Sequence, residues 1–70
     1  MIKDGWHKVY NYDVMIEDGV VIHATDEDCT RTLYPYRKSL WGGWNRIYKE
    51  EKLTLSALRN GMNRGTIALI

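Results

Sequence analysis

Two stretches near the start of the chain, residues 10–16 and 20–24, are rich in the β-branched and aromatic residues of strands, and residues 10–14 alternate between apolar and polar side chains. A period of two is typical of β-strands that bury one face, and an Asp-Gly pair between two such stretches is a common hairpin turn. The pattern therefore predicts an antiparallel hairpin with its turn at Asp18-Gly19.

Two registers are open to this hairpin. A two-residue loop made of Asp18 and Gly19 places Ile16 opposite Val21. A three-residue loop over residues 17–19 instead matches apolar residues across the strands, namely Ile16 with Val20, Val14 with Ile22 and Tyr12 with Ala24. We predict the second register, because burying these matched pairs outweighs the small energy difference between turn types.

Shorter strand patterns follow in the middle of the chain. Residues 31–34 resume a strand-like pattern, and Pro35 restricts this strand to a sheet edge or a strand end, because proline has no backbone N–H to donate. Gly42-Gly43 predicts a second hairpin with a two-residue turn, which would pair Ser39 with Arg46 and Arg37 with Tyr48.

Near the C-terminus the apolar residues recur at helical spacing. Thr54 is a suitable N-cap, and Leu53 is placed to contact Leu58 as in a hydrophobic staple. The apolar face of this helix consists of Leu55, Leu58 and Met62. We predict one short helix that ends at Gly61 or Gly65, after which residues 66–70 form a last strand or pack on the core.

These elements predict a single α+β domain over residues 1–70, with a small antiparallel sheet of about five short strands and one C-terminal helix. A chain of 70 residues buries only about 60% of the surface that its unfolded form exposes, so its stability is small and self-association is a further expectation. The chain contains no Phe, and we therefore expect about half of the rings in residues 34–46 to fill the core.

The charge is unevenly distributed although the net charge is only +1. Residues 1–28 carry two cations against seven acids, a net −5, and residues 29–70 carry eight cations against two acids, a net +6. Three arrangements are open: the halves neutralise each other within one molecule, they pair between subunits, or the basic half stays free for an anionic partner. The single cysteine, Cys29, excludes an intrachain disulfide and fits a reducing cytoplasm, and no apolar run has the length of a signal sequence or membrane span.

The residue types that enzymes and metal sites require do not occur in suitable patterns. The soft or borderline metal ligands are His7, His23 and Cys29, and their spacing does not direct two of them at one ion. A nucleophile with its base, paired carboxylates in a cleft and a phosphate-binding loop are all missing. The sequence therefore predicts a protein without catalytic activity, metal or cofactor.

Aromatic and basic residues concentrate in residues 34–46, the aromatic-basic segment. Planar rings and guanidinium groups bind bases and protein hot spots with little loss of side-chain conformational entropy. We therefore predict that this segment binds the partner. Its candidate residues are Tyr34, Tyr36, Arg37, Lys38, Trp41, Trp44 and Arg46. Additional candidates outside the segment are His7, Arg59 and Arg64.

Short motifs spread over most of the chain are Gly5-Trp6-His7, Tyr12-Asp13-Val14, Asp18-Gly19, Tyr34-Pro35-Tyr36-Arg37, Gly42-Gly43-Trp44, Leu55-Ser56-Ala57-Leu58-Arg59 and Arg64-Gly65-Thr66. In these motifs the chain resembles small uncharacterised proteins of Gram-positive gut bacteria and of their phages and mobile elements. The resemblance implies a mobile-element accessory protein, a class whose members are often stoichiometric binders that inhibit or regulate a host complex, including defence systems.

Together these observations predict a cytoplasmic binding protein that acts by occupying the surface of a host protein complex. Two alternatives use the same residues: a module that binds nucleic acid, and an oligomeric sponge for a small nucleotide signal, in which two subunits enclose the ligand. We expect no membrane partner.

Overall fold

Seven β-strands and one α-helix make up the protein, as described over residues 2–70 by a computed structural model. The α+β class and the single C-terminal helix are confirmed, and the strands form two antiparallel sheets. Sheet A has the order β1-β2-β3-β4 and sheet B the order β6-β5-β7. The elements are β1 (Gly5–Val9), β2 (Tyr12–Glu17), β3 (Val20–Thr25), β4 (Thr32–Leu33), β5 (Pro35–Lys38), β6 (Trp44–Arg46), α1 (Leu55–Arg64) and β7 (Ile67–Leu69), with a 3-10 turn over Lys49–Glu51 before α1.

The hairpin between β2 and β3 turns at Asp18-Gly19, but the predicted three-residue register is wrong. Asp18 and Gly19 have φ angles of 54° and 77°, so both lie in the left-handed region that a two-residue type I′ turn requires. Ile16 pairs with Val21 and Met15 with His23, which leaves Ile22 unpaired as a β-bulge. Because of the bulge, Val21 and Ala24 both face the core although they are three residues apart.

Strand β1 was not anticipated by the sequence pattern. It pairs with β2 from Gly5↔Ile16 to Val9↔Tyr12 and forms the edge of sheet A. The connection is a two-residue turn, in which Tyr10 has a φ angle of 54°. Strand β2 therefore begins at Tyr12, two residues later than predicted, since Tyr10 and Asn11 form this turn.

The second hairpin, between β5 and β6, also has a register different from the predicted one. Lys38 pairs with Trp44 and Tyr36 with Arg46, so the connection is a five-residue loop over residues 39–43 rather than a two-residue Gly42-Gly43 turn. The longer loop places Ile47 on the same side of the sheet as Pro35, and both are buried. The predicted register would have turned Ile47 to the opposite side.

Helix α1 begins and ends at residues that the sequence indicates. The Ala57 backbone N–H donates to Thr54 Oγ1 over 3.2 Å, which confirms the N-cap. Gly65, with a φ angle of 77°, ends the helix, and the following chain continues into β7. Gly61 lies inside the helix, where it packs against Ile67 of β7.

The core between the sheets and α1 is almost entirely aliphatic. Its buried members come from every strand except β5 and β6, from α1 and from the segment between β6 and α1: Val9, Val14, Ile16, Val21, Ala24, Leu33, Ile47, Leu53, Leu55, Leu58, Ile67 and Leu69. Among residues 2–70 no Trp or Tyr is fully buried, and of the rings only Tyr12 packs on this cluster as a partly buried residue. The expectation that rings supply core volume in place of Phe is therefore wrong.

Candidate binding face

The strands of sheet B separate their side chains into two chemically different sets. On the inner face Pro35, Ile47, Ile67 and Leu69 are buried. The Ile47 N–H donates to the Pro35 carbonyl over 2.8 Å, so the β5–β6 pairing extends past the end of β6 and the alternation continues with it. The outer face, called here the aromatic-basic face, consists of Tyr34, Tyr36, Lys38, Trp44, Arg46 and Tyr48.

Arg46 lies at the centre of this face between two tyrosine rings. Its Cζ atom is 3.8 Å from the centroid of the Tyr34 ring and 4.9 Å from that of the Tyr48 ring. Such cation–π contacts are worth about 0.5–2 kcal/mol each, depending on solvent exposure. They fix the plane of the guanidinium group, so Arg46 presents its donors in a defined direction.

The row of stacked groups continues from the aromatic-basic face onto the outer face of sheet A. The Tyr34 ring lies 6.5 Å from the His23 ring, which in turn contacts the Trp6 ring edge-on at 5.5 Å. Trp6 and His23 both pair with Met15, from the two strands that flank β2. The two sheets therefore share one outer surface, on which Trp6, His23, Tyr34, Arg46 and Tyr48 follow one another.

The loop between β5 and β6 projects the most exposed apolar residues of the described chain. Leu40 and Trp41 are 99% and 96% exposed. Below this Leu40-Trp41 tip the loop is closed by hydrogen bonds, since the Ser39 N–H donates to the Gly43 carbonyl over 2.7 Å and the Gly43 N–H to Ser39 Oγ over 3.0 Å. A short closed loop loses little further conformational entropy when its side chains are bound.

Some of the residues predicted for binding come together and others do not. The aromatic-basic face contains Tyr34, Tyr36, Lys38, Trp44 and Arg46, and Trp41 is at the adjacent tip. Arg37 lies on the inner side of β5, where its guanidinium group forms a 2.7 Å ion pair with Glu51.

The three additional candidates lie elsewhere. His7 pairs with the buried Val14 and so is on the inner side of sheet A, where its Nε2 is 2.6 Å from the Lys3 carbonyl. Arg59 and Arg64 are exposed on α1, which packs on the inner face of sheet B. The structure therefore separates all three residues from the aromatic-basic face.

Tyr48, His23 and Trp6 belong to the shared outer surface but were not among the predicted binding residues. Tyr48 could have been found from the period of two in Trp44, Arg46 and Tyr48. The contact between Trp6 and His23 depends on the pairing of β1, which the sequence pattern did not indicate.

Among residues 2–70, ion pairs join the acidic and basic halves of the chain at two places. Lys49 pairs with Glu17, and Arg31 Nε lies 3.7 Å from Asp26 Oδ2. The hydrogen bond to Glu17 raises the pKa of Lys49 above its ordinary value. Lys38 and Arg46 take part in no ion pair among residues 2–70, so the cations of the aromatic-basic face remain available to a partner.

No family model, curated protein or solved structure matches the chain. None of the helices in residues 2–70 is long and apolar enough to cross a membrane. Within the same residues, no three side chains of His, Cys, Asp or Glu are grouped in a way that would hold a metal ion. The shared outer surface and the Leu40-Trp41 tip form the candidate functional site, because they bring exposed rings, cations and apolar side chains together.

Proposed function

We propose that the protein is a non-catalytic binding protein that attaches to a protein partner through the Leu40-Trp41 tip and the aromatic-basic face. The observation that carries the proposal is the nearly complete exposure of Leu40 and Trp41 on a loop closed by its own hydrogen bonds. Two adjacent large apolar side chains in this position contribute nothing to the core.

The chemistry of the surface supports a protein partner. Protein hot spots are rich in Trp, Tyr and Arg, and burying one large apolar side chain is worth about 1.5–3 kcal/mol. Trp41 would enter an apolar pocket of the partner, while Trp44, at 40% exposure, and the tyrosines would form the flatter contact around it. Lys38 and Arg46 would add charge-assisted hydrogen bonds.

The biological role that we propose is inhibition or regulation by occupancy. A bound protein of this size covers a partner's surface without chemistry, and the resemblance described above suggests a host complex, including a defence complex, as the target. This role rests on the resemblance, whereas the binding surface rests on the geometry.

The test begins with affinity capture from host cells, identification of the captured protein by mass spectrometry, and calorimetry with that protein purified. Replacing Trp41→Ala should weaken binding by about 2 kcal/mol or more, roughly thirtyfold, because a buried anchor is lost. Ile2→Ala, which changes an exposed apolar residue outside the site, is the matched control and should bind like the parent. Unchanged affinity in a folded Trp41→Ala variant would refute the proposed anchor.

Single-stranded nucleic acid is the second candidate partner, favoured by the position of rings and a guanidinium group on the open face of a sheet. The salt dependence of binding separates the candidates. With Lys38 and Arg46 as the phosphate contacts, log K should fall with log salt at a slope of about −1.4, whereas an interface anchored by Trp41 should show a shallower slope, because a protein surface releases no condensed counterions. Absence of binding to single-stranded DNA and RNA at low salt would eliminate this candidate.

A further inference from the structure

The side chain of Arg46 makes cation–π contacts with two tyrosine rings but no hydrogen bond within residues 2–70. Within residues 2–70, Arg46 Nε is the single buried side-chain nitrogen or oxygen atom without a hydrogen-bond partner. The guanidinium carbon lies over the rings of Tyr34 and Tyr48, and the residue as a whole is half-buried. A planar group with five donors is therefore positioned without an acceptor.

The surroundings of Arg46 are basic and rich in hydroxyl groups. Lys38, on the neighbouring strand, is diagonal to Arg46 on the same face, because Tyr36 pairs with Arg46 and Lys38 with Trp44. Residues 34–48 contain no Asp or Glu, so none of these residues supplies a carboxylate that competes for Lys38 or Arg46. The hydroxyl groups of the neighbouring tyrosines are further potential donors.

We propose that Arg46 is the centre of an oxyanion-binding site, at which its terminal nitrogens bind a carboxylate or phosphoryl group end-on. The guanidinium fork matches two oxygens of either group, and stacking between rings supplies the orientation in advance. The site deepens the proposed binding function and rests on it for the source of the anion, either an acidic side chain or a phosphorylated group of the partner. The site itself needs no partner to be tested.

The test uses nuclear magnetic resonance of the free protein, with the Arg46 Nε–H signal as the readout. Burial of Nε should slow its exchange with water and make the signal observable. Sodium acetate and sodium phosphate are titrated separately, with sodium chloride at equal ionic strength as the reference. Saturable movement of the Arg46 signal by acetate or phosphate, but not by chloride, supports the site. Tighter binding of acetate identifies the anion of the partner as a carboxylate, and tighter binding of phosphate identifies it as a phosphoryl group.

Two variants and two controls make the result specific. Arg46→Lys keeps the charge but loses the fork, and should weaken anion binding by about tenfold or more, followed through the backbone signals of β6. Tyr48→Leu should weaken it about threefold through loss of orientation. Arg59→Lys and Arg64→Lys on α1 should bind the anion like the parent. Because the anion is titrated into the free protein, failure of the protein-binding proposal is distinguishable from failure of this site. The proposal would be overturned if acetate and phosphate moved the Arg46 signal of the parent without saturation, as chloride does. It would also be overturned if a folded Arg46→Lys variant bound the anion as tightly as the parent.

Discussion

The two faces of sheet B are made from alternate residues of the same three strands, yet they have different chemistry. The inner face is aliphatic and buried, with Ile47 only 3% exposed. The outer face is aromatic and basic and contacts solvent, with Tyr48 57% exposed. In this chain the aliphatic residues suffice for the core, so the rings and guanidinium groups are available for recognition. Substitutions on the inner face should accordingly change the free energy of unfolding, and substitutions on the outer face should change the affinity for a partner.

The largest effect is expected for a core residue. Leu58→Ala should lower the free energy of unfolding by about 2–5 kcal/mol, because Leu58 is 0% exposed and its removal leaves a cavity. Trp41→Ala, which deletes a larger side chain at the exposed tip, should change it by less than about 0.5 kcal/mol. Urea denaturation of both variants measures this contrast. Similar losses in the two variants would contradict the division between core and binding surface.

The second prediction concerns the close approach of α1 to the inner face of sheet B. A Cβ atom added at Gly61 would lie 2.8 Å from Ile67 Cβ, a distance that packing does not allow. Gly61→Ala should therefore destabilise the protein by about 1–3 kcal/mol through overpacking, although alanine favours the helix by about 1 kcal/mol. Asn60→Ala, at the exposed neighbouring position, is the control and should not be destabilising. Stabilisation by Gly61→Ala would show that the helix does not approach β7 so closely.

A smaller effect is expected at the centre of the aromatic-basic face. Arg46→Met should leave stability unchanged within about 1 kcal/mol, because the lost cation–π contacts are offset by removal of the unpartnered buried Nε. Denaturation of the variant, together with its affinity for the partner, tests whether Arg46 serves binding rather than folding. A loss of stability comparable with that of Leu58→Ala would make the stacked arginine a structural element.

The smallest effect belongs to the β3–β4 loop and depends on pH. Hydrogen bonds from the Thr30 hydroxyl and backbone N–H, at 2.6 and 2.7 Å, lower the pKa of Asp26 below its ordinary value of 3.8. The folded state thus favours the ionised carboxylate. Its contribution to stability is present above pH 3.8 and is lost as the pH falls through the lowered pKa.

Replacing Asp26→Asn should therefore reduce stability near neutral pH, and the difference from the parent should shrink as the solution is acidified. Urea midpoints of the two proteins, measured at about pH 6 and about pH 3, provide the comparison. A difference that stays constant or grows on acidification would exclude the ionised Asp26 as its cause.

Local residue chemistry was enough to predict several elements. Thr54 caps α1, and Gly65, one of the two predicted ends, terminates it, because a hydroxyl acceptor and a left-handed glycine act within one helical turn. Asp18 and Gly19 likewise form a turn because both tolerate positive φ angles. For the candidate site, the concentration of rings and cations in residues 34–46 predicted most of the aromatic-basic face.

The strand registers, and therefore which side chains lie together on one face of a sheet, could not be predicted in this way. The bulge at Ile22 and the five-residue loop over residues 39–43 both depend on which side chains the rest of the core buries. The absence of Phe predicts rings in the interior, but the aliphatic residues of both sheets and α1 fill that space.

The sequence by itself determined the α+β class, the turn at Asp18-Gly19, the N-cap of α1 and the enrichment of aromatic and basic residues, since each depends on neighbours in the chain. Tertiary structure decided that Arg37 faces inward to Glu51, that Arg46 stacks between Tyr34 and Tyr48, and that Trp6 and His23 extend the outer surface. These outcomes depend on strand pairing between distant segments. A change of one residue in register moves every following side chain to the other face of the sheet.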